Sequence, residues 1–458
     1  MSPPNRSITP LTRSVLTLCA LSLAALATLW ITRRPHGDGT VLRAVGDFAH
    51  LRQADDSWLP MDSAFQRLRA DPRAPIYQDL FFTRHIKFQY PPSALLAFEP
   101  WPLVHRLIPG LSAVRALALV SWVMTVVTIA FAVAIFERGV AGSTRAPDGS
   151  AAPNRFDTLV RRAALVGLGL TFYPLIKGYA LGQIQVWLDA AIAGAIWAWT
   201  SERKTAAGVA IGLAALVKPQ YALIVLWALW RGERRFLAGA LGVVIPGLAL
   251  SIALFGLANH VAYIDVLSYI TQHGEAYYPN QSMNGLMNRL LGNGDNLTWH
   301  DESYAPYNAI VYATTLAWSI LLIGAGFLSR RTPRGRSDVT ALCIILLTST
   351  MASPVAWEHH YGILLPIFAW SFALALRERT WGRATLPILA LSYLVASNLI
   401  DRAQMLAPLP ANALQSYLFL AAAILLAYLY SLPLACPERA PERDHTTSPA
   451  TFGLAPAE

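Results

Sequence analysis

Five polar clusters interrupt an otherwise apolar chain, and their residue types are those of phosphate binding and proton transfer. The first is Gly46-Asp47-Phe48-Ala49-His50, followed by Asp55, Asp56, Asp62 and the run Lys87-Phe88-Gln89-Tyr90-Pro91-Pro92. The second runs from Lys177 through Gly182, Gln183 and Gln185, with Asp189 further along an apolar helix. The third is Val217-Lys218-Pro219-Gln220. The fourth is Asn280-Gln281-Ser282-Met283-Asn284-Gly285, with Arg289 beyond it, and the fifth runs from Ser353 through Trp357-Glu358-His359-His360 to Tyr361. Ionisable groups are costly in a membrane protein and mark sites by default. Lys218, Arg289 and His359 or His360 are suited to hold an anionic lipid headgroup, and a first-cluster carboxylate to accept a proton from an attacking hydroxyl. That is equipment for glycosyl transfer from a lipid phosphate, in which the departing charge is stabilised and the nucleophile deprotonated.

Each residue also has a plain structural reading. A loop carboxylate is usually just solvated, and a lysine can snorkel to an interface. Adjacent histidines on a helix point about 100° apart, so His359 and His360 cannot form an i,i+4 zinc pair, and no His-Glu-x-x-His pattern is present. We expect no metal and no cofactor. Asn280 and Asn296 lie in glycosylation sequons, a pattern common by chance.

The elements that must position these groups follow from composition. Of 458 residues, 55% are hydrophobic and only 14% charged, with a mean hydropathy of +0.41. Soluble domains carry roughly 25% charge, so most soluble enzymes and any disordered protein are excluded. The net charge of +9 does not point to nucleic acid, because the basic residues sit in short clusters between apolar runs, the positive-inside pattern. Cys19, Cys343 and Cys436 give no metal or disulfide framework.

Apolar segments are expected at 14–32, 111–136, 163–178, 183–200, 206–217, 220–230, 236–256, 306–328, 338–352, 361–376, 384–400 and 412–432. The expected fold is an all-α polytopic bundle of about 10–12 transmembrane helices, residues 14–432, with broken helices. Tails 1–13 and 433–458 are expected in the cytoplasm, the latter disordered. The first segment reads as an anchor rather than a cleaved signal peptide, lacking a clear small-residue cleavage site. Residues 33–110 form a large first extracytoplasmic loop with interfacial helices, and 257–305 a second. One orientation puts the basic clusters around Arg138, Arg161, Arg203, Arg234, Arg331 and Arg377 on the cytoplasmic side and the five polar clusters outside. Residues 206–217 and 220–230 are too short to cross alone. Lys218-Pro219 parts them, and irregular backbone at that depth is tolerated only beside protein or a watery cavity.

Six of these motifs in order resemble glycosyltransferase family 87, the polyprenyl-phosphate-mannose-dependent transferases of the GT-C superclass: Asp47-Phe48, Phe88-Gln89-Tyr90-Pro91-Pro92, Gly182-Gln183, Lys218-Pro219-Gln220, Asn280-Gln281-Ser282 and Ser353–His360. The resemblance implies an integral-membrane, metal-independent, inverting transferase. It would move a sugar, mannose first, from a polyprenyl-phosphate donor to a lipid or glycan hydroxyl outside the inner or plasma membrane. It implies Asp47 as general base, with Asp62 as competitor because further acids intervene before Tyr77. Lys218, Arg289, His359 and His360 would bind the donor phosphate, and Tyr90, Gln183 and Gln281 would orient sugar or lipid. The lipid tail would lie in a groove lined by the short helices. Rival readings are a flippase for lipid-linked sugars, which also uses broken helices, and an O-antigen ligase or polymerase.

Overall fold

A computed structural model describes residues 8–32, 40–141, 154–300, 303–328, 337–378, 384–408 and 410–432. Most of both tails and several loop arginines, among them Arg145, Arg331 and Arg383, lie outside the described residues.

The described chain is helical, and its only β-type pairing is an isolated bridge between Asn280 and Trp357. After α1 (Pro10–Thr32), the first polar stretch folds into α2 (Val41–Ala49), α3 (Trp58–Ala70), a π-helical turn (Tyr77–Thr83), a 3-10 turn (Pro92–Phe98) and α4 (Trp101–Leu107). Then come α5 (Ala113–Ala141), α6 (Arg155–Leu170), α7 (Tyr173–Ala180), α8 (Gln185–Thr200), α9 (Lys204–Val217), α10 (Ala222–Arg231) and α11 (Arg234–Phe255). The second polar stretch holds α12 (Leu257–His273) and α13 (Met283–Leu290). The chain ends with α14 (Ala309–Leu328), α15 (Ser337–Met351), a 3-10 turn (Glu358–Ile363), α16 (Leu364–Glu378), α17 (Thr385–Ala396) and α18 (Tyr417–Ser431).

Six helical stretches are long and apolar enough to cross a membrane, seven if the α6–α7 pair, bent by 55°, is one broken span. The other expected segments exist as shorter apolar helices, α8, α9, α10, α15 and α17. The protein is a multi-pass membrane protein. Only 17% of the spanning windows of α1 and α11 is buried within the protein, against 89% for Glu358–Arg377. The first two are peripheral, and α16 lies in the interior of the bundle.

Close approach of α9 and α11 rests on small residues, as in other membrane helix pairs. A Cβ on Gly208 would overlap the Phe236 carbonyl, and one on Gly239 the Thr205 carbonyl. α12 occupies a region expected as a loop. Its Leu257, Val261 and Ile264 are exposed while Tyr263, Val266 and Ile270 pack inward, so apolar residues cover both faces of this helix. It joins α3 and the aromatic residues Tyr77, Phe88 and Phe98 in a second core, separate from that of the bundle.

The bundle has two distinct ends. At one, the start of α1 meets the start of α6, with Thr9 N–H donating to Asp157 at 2.7 Å. The end of α5 joins them, Arg161 donating twice to Glu137 at 2.9 and 2.8 Å. The end of α16 joins too, Arg377 donating to the Gly139 carbonyl at 3.1 Å. At the opposite end meet the C-termini of α7 and α9, the start of α8 and the turn preceding α16.

Replacing Gly208 with Leu should force α9 and α11 apart, an overpacking cost of about 1–3 kcal/mol. The thermal midpoint of the detergent-purified protein should fall by several degrees, while Gly167→Leu, where a Cβ meets nothing within 4 Å, should leave it nearly unchanged.

Candidate active site

The polar end is organised by the turn between α7 and α8. Gly182 sits there at φ +69°, and a Cβ on it would overlap the Ala54 carbonyl. Its lack of a side chain lets residues 54–57 of the first loop lie against the turn. Ala54 N–H donates to the Ala180 carbonyl at 2.8 Å, Asp56 N–H to Leu181 at 3.1 Å and Ser57 N–H to Gly182 at 3.3 Å. Gln183 follows at once. Its amide oxygen accepts from the Ser57 hydroxyl at 2.8 Å and from Tyr90 at 3.3 Å, and its nitrogen donates to the Asp56 carboxylate. Burial raises the Tyr90 phenol, the Asp56 charge adding to it while the Ser57 hydrogen bond pulls the other way. Tyr90 therefore stays a protonated donor at neutral pH.

Lys218 occupies the break between α9 and α10. As the residue before proline it is extended, at φ −129° and ψ 105°, which steric clash with the ring favours. Its Nζ lies 2.7 Å from Gln185 Oε1 and 2.7 Å from His360 Nε2. An ammonium only donates, so His360 Nε2 accepts and the imidazole proton is on Nδ1. Gln185 in turn donates to Asp189 one turn along α8, at 2.9 Å. Three buried atoms around this chain have no partner: His359 Nε2, His360 Nδ1 and Asp189 Oδ2. The two imidazoles stand perpendicular, centroids 4.7 Å apart. Gly362 makes room for Asp189, whose carboxylate a Cβ there would overlap. The result is a cation with a spare donor and unpaired ring nitrogens, a ready anion site.

Beside it, Glu358 is fully buried, accepting from Lys177 at 2.5 Å and from Tyr417 at 3.0 Å. This pair joins α7, the 3-10 turn of the histidines and α18.

Asp47 projects from α2, whose Thr40 cap accepts from Arg43 N–H at 3.0 Å. Phe48 anchors that helix, stacked on Trp122 at 5.5 Å and edge-on to Tyr179 at 5.2 Å. The Asp47 carboxylate is half-buried, makes no side-chain hydrogen bond among the described residues, and acts electrostatically on the Tyr179 hydroxyl. Asp62, on α3, accepts from Gln66 one turn on at 3.3 Å. Neither acid touches Lys218 or the histidines.

Of the residues expected to act together, Lys218 and His360 meet directly with His359 alongside, and Tyr90 meets Gln183. Arg289 and Gln281 do not join these contacts, and most of their hydrogen bonds go to main chain. Buried Arg289 donates to the carbonyls of Ala276, Tyr277 and Asn280 at 3.3, 3.4 and 3.1 Å and to Ser416 Oγ at 2.6 Å. Gln281 donates to the Tyr278 and Gln415 carbonyls, both at 2.8 Å, and accepts from the Leu418 and Phe419 N–H groups at 3.1 and 3.2 Å. Asn280 is fully buried, with both ends of its amide bonded to main chain, so its sequon is closed in the folded protein.

A family model described as glycosyltransferase family 87 matches residues 88–354, more than half of the chain. The chain belongs to glycosyltransferase family 87. It is therefore a membrane glycosyltransferase, and the matched span takes in Tyr90, Gln183, Lys218, Gln281 and Arg289 while Asp47 and the histidines lie outside it. This family 87 chain is similar to the polyprenol-phosphate-mannose-dependent alpha-(1-2)-phosphatidylinositol pentamannoside mannosyltransferase of Mycobacterium tuberculosis (strain CDC 1551 / Oshkosh). The two are 28% identical over 330 residues, 70% of this chain and 68% of that one. The protein of the same description from Mycolicibacterium smegmatis is 26% identical over 248 residues, 52% of this chain and 56% of the relative. No solved structure matches the chain.

Sequence reasoning did not assign Ser57, Tyr417, Gln185 or the Lys177–Glu358 pair. Gln185 and Asp189 carried a signal, being polar at i and i+4 on one face of an apolar helix. Tyr417 carried none, since only the fold brings it to Glu358.

Removing one member of a buried ion pair costs about 3–5 kcal/mol. Lys177→Met should thus lower the thermal midpoint sharply, and the double variant Lys177→Met/Glu358→Gln should recover at least half of that loss. Equal midpoints for the two would show that the pair does not act as a unit.

Proposed function

We propose that the protein is an inverting glycosyltransferase that moves mannose from a polyprenyl-phosphate donor to a hydroxyl of a lipid or glycan acceptor, on the extracytoplasmic side of the cell membrane. Residues 14–432 act as one GT-C-like domain, with both termini in the cytoplasm. Membership of the family supports transfer, and the relatives' names support polyprenol-phosphate-mannose as donor and a phosphatidylinositol mannoside as the kind of acceptor. The observation that carries the reading is the Lys218–His360 contact at a helix break, with His359 Nε2 and His360 Nδ1 unpartnered beside it.

In the reaction, the acceptor oxygen attacks the anomeric carbon from the face opposite the phosphate. The carbon–oxygen bond to phosphate breaks, and its electron pair leaves on polyprenyl phosphate. The proton of the acceptor hydroxyl passes to Asp47. Asp47 suits this role better than Asp62, because its carboxylate is unengaged while that of Asp62 holds Gln66. Lys218, His360 and His359 bear the growing phosphate charge, an electrostatic contribution largest where water is excluded. Gln185 and Asp189 hold the lysine in place. Tyr90 and Gln183, locked together with Ser57, shape the wall near the sugar. Arg289 and Gln281 act at a distance, bracing the second loop against the start of α18.

Asp47→Asn should reduce mannosyl transfer from radiolabelled polyprenyl-phosphate-mannose at least about 100-fold, within the range of general-base losses, with donor binding retained. Asp62→Asn should stay near the parent rate. The opposite ranking would move the base to α3. Lys218→Ala and His360→Ala should each cost about 100-fold, expressed largely in donor handling. Redistribution of the donor between leaflets without glycolipid product would refute transfer itself.

A further inference from the structure

The bundle holds a second concave feature, none of whose lining residues belongs to the anion site. Helices α1, α5, α6, α16 and α17 leave a cavity of about 510 Å3 between them. Its wall follows α16 from Leu365 to Leu376, a rise of about 16 Å at 1.5 Å per residue. That is the depth of one leaflet of a hydrocarbon core about 30 Å thick. The lining is hydrocarbon apart from three hydroxyls, and each of these is already satisfied. Ser14 donates to the Pro10 carbonyl at 3.2 Å, Thr17 to Arg13 at 2.9 Å and Tyr393 to Leu168 at 2.9 Å. Such a wall offers water nothing to bond and accepts a hydrocarbon chain.

The mouth is charged. Arg13 lies one turn before Thr17 on the same face of α1, and Arg162 lies three residues before Leu165 on α6, both Thr17 and Leu165 lining the cavity. Arg13 is exposed. Arg162 is 58% exposed and approaches Glu137 only to 3.8 Å, because the Glu137 carboxylate is already held by Arg161 at 2.8 Å. Arg161 also pairs with Asp157 at 3.0 Å. Arg138 and Arg377 border the same end, where arginines outnumber the acids Glu137, Asp157 and Glu378. Basic pockets between transmembrane helices on the cytoplasmic side bind anionic lipid headgroups.

We infer that this cavity binds an anionic membrane phospholipid, one acyl chain lying along α16 and its phosphate at Arg13 and Arg162. The exposed arginines at the basic end favour a phospholipid headgroup there, and the donor's polyprenyl chain is the competing occupant that the titration below separates from it. The inference rests on the cavity and its charges and does not depend on the proposed reaction.

Full-length protein, delipidated in detergent, is titrated with phosphatidylglycerol, phosphatidylcholine or polyprenyl phosphate, and bound lipid is read by native mass spectrometry alongside the thermal midpoint. Phosphatidylglycerol should bind at least fivefold tighter than phosphatidylcholine and raise the midpoint by several degrees. Arg13→Gln/Arg162→Gln should bring phosphatidylglycerol to the level of phosphatidylcholine, and Ala390→Phe, which fills the cavity, should abolish retention of both. If Ala390→Phe does not fold, Ala369→Leu serves the same purpose. Equal binding of the two phospholipids, indifference to the arginine pair, or stabilisation by polyprenyl phosphate alone overturns the assignment.

Discussion

An ammonium group carried into an apolar bundle has to be solvated by the protein, and the way Lys218 is solvated organises the whole polar end. Its two fixed partners come from different elements, Gln185 at the start of α8 and His360 in the turn before α16. Neither partner carries a formal negative charge when His360 accepts as the neutral ring. The nearest carboxylate, Asp189, acts through the Gln185 amide rather than by direct contact. Lys218 is therefore held by neutral partners, with the Asp189 charge acting on it only through space, which on the proposed reading leaves a donor for an incoming anion. A direct aspartate–lysine pair at the same place would have cancelled the field that a phosphate needs.

The neighbouring Lys177–Glu358 pair shows the contrasting use of charge. There the carboxylate is fully buried and bonded on both oxygens, by a lysine and a tyrosine. That pair fixes the turn bearing His359 and His360 between α7 and α18. The structure thus separates a cation kept free to act from a cation consumed in holding the frame. Arg289, held by three carbonyls and the Ser416 hydroxyl, belongs with the second kind.

Much of this was legible in the amino-acid sequence, and the parts that were not have two physical causes. Hydropathy identified the apolar segments, and the break at Lys218-Pro219 follows from proline chemistry, so α9 and α10 end and begin where expected. The pairing of Lys218 with a histidine was foreseeable because isolated charges in an apolar chain must find partners. The contacts that were not legible are those of side chains whose partners are mostly main-chain atoms. Nothing local to Arg289 or Gln281 announces that carbonyls of the second loop and the amides opening α18 will claim them. α12 was hidden for another reason: Asn259, His260 and Asp265 gave it the composition of a loop, although the apolar residues among them were enough to seat a helix against the outer core.

The two polar stretches are also laced to one another and to the bundle. Lys87 of the first reaches Glu275 at 2.7 Å and the carbonyls of His300 and Ser303 at 2.9 and 3.0 Å, while its ammonium lies 3.7 Å from the centre of the Trp299 ring. With residues 54–57 bonded to the α7–α8 turn, neither stretch is free to swing aside as a lid. On the proposed reaction, long-tailed reactants are then best admitted sideways, sliding between helices from the bilayer itself, so that traffic into this enzyme is governed by gaps along its lipid-facing flank rather than by doors opening to water.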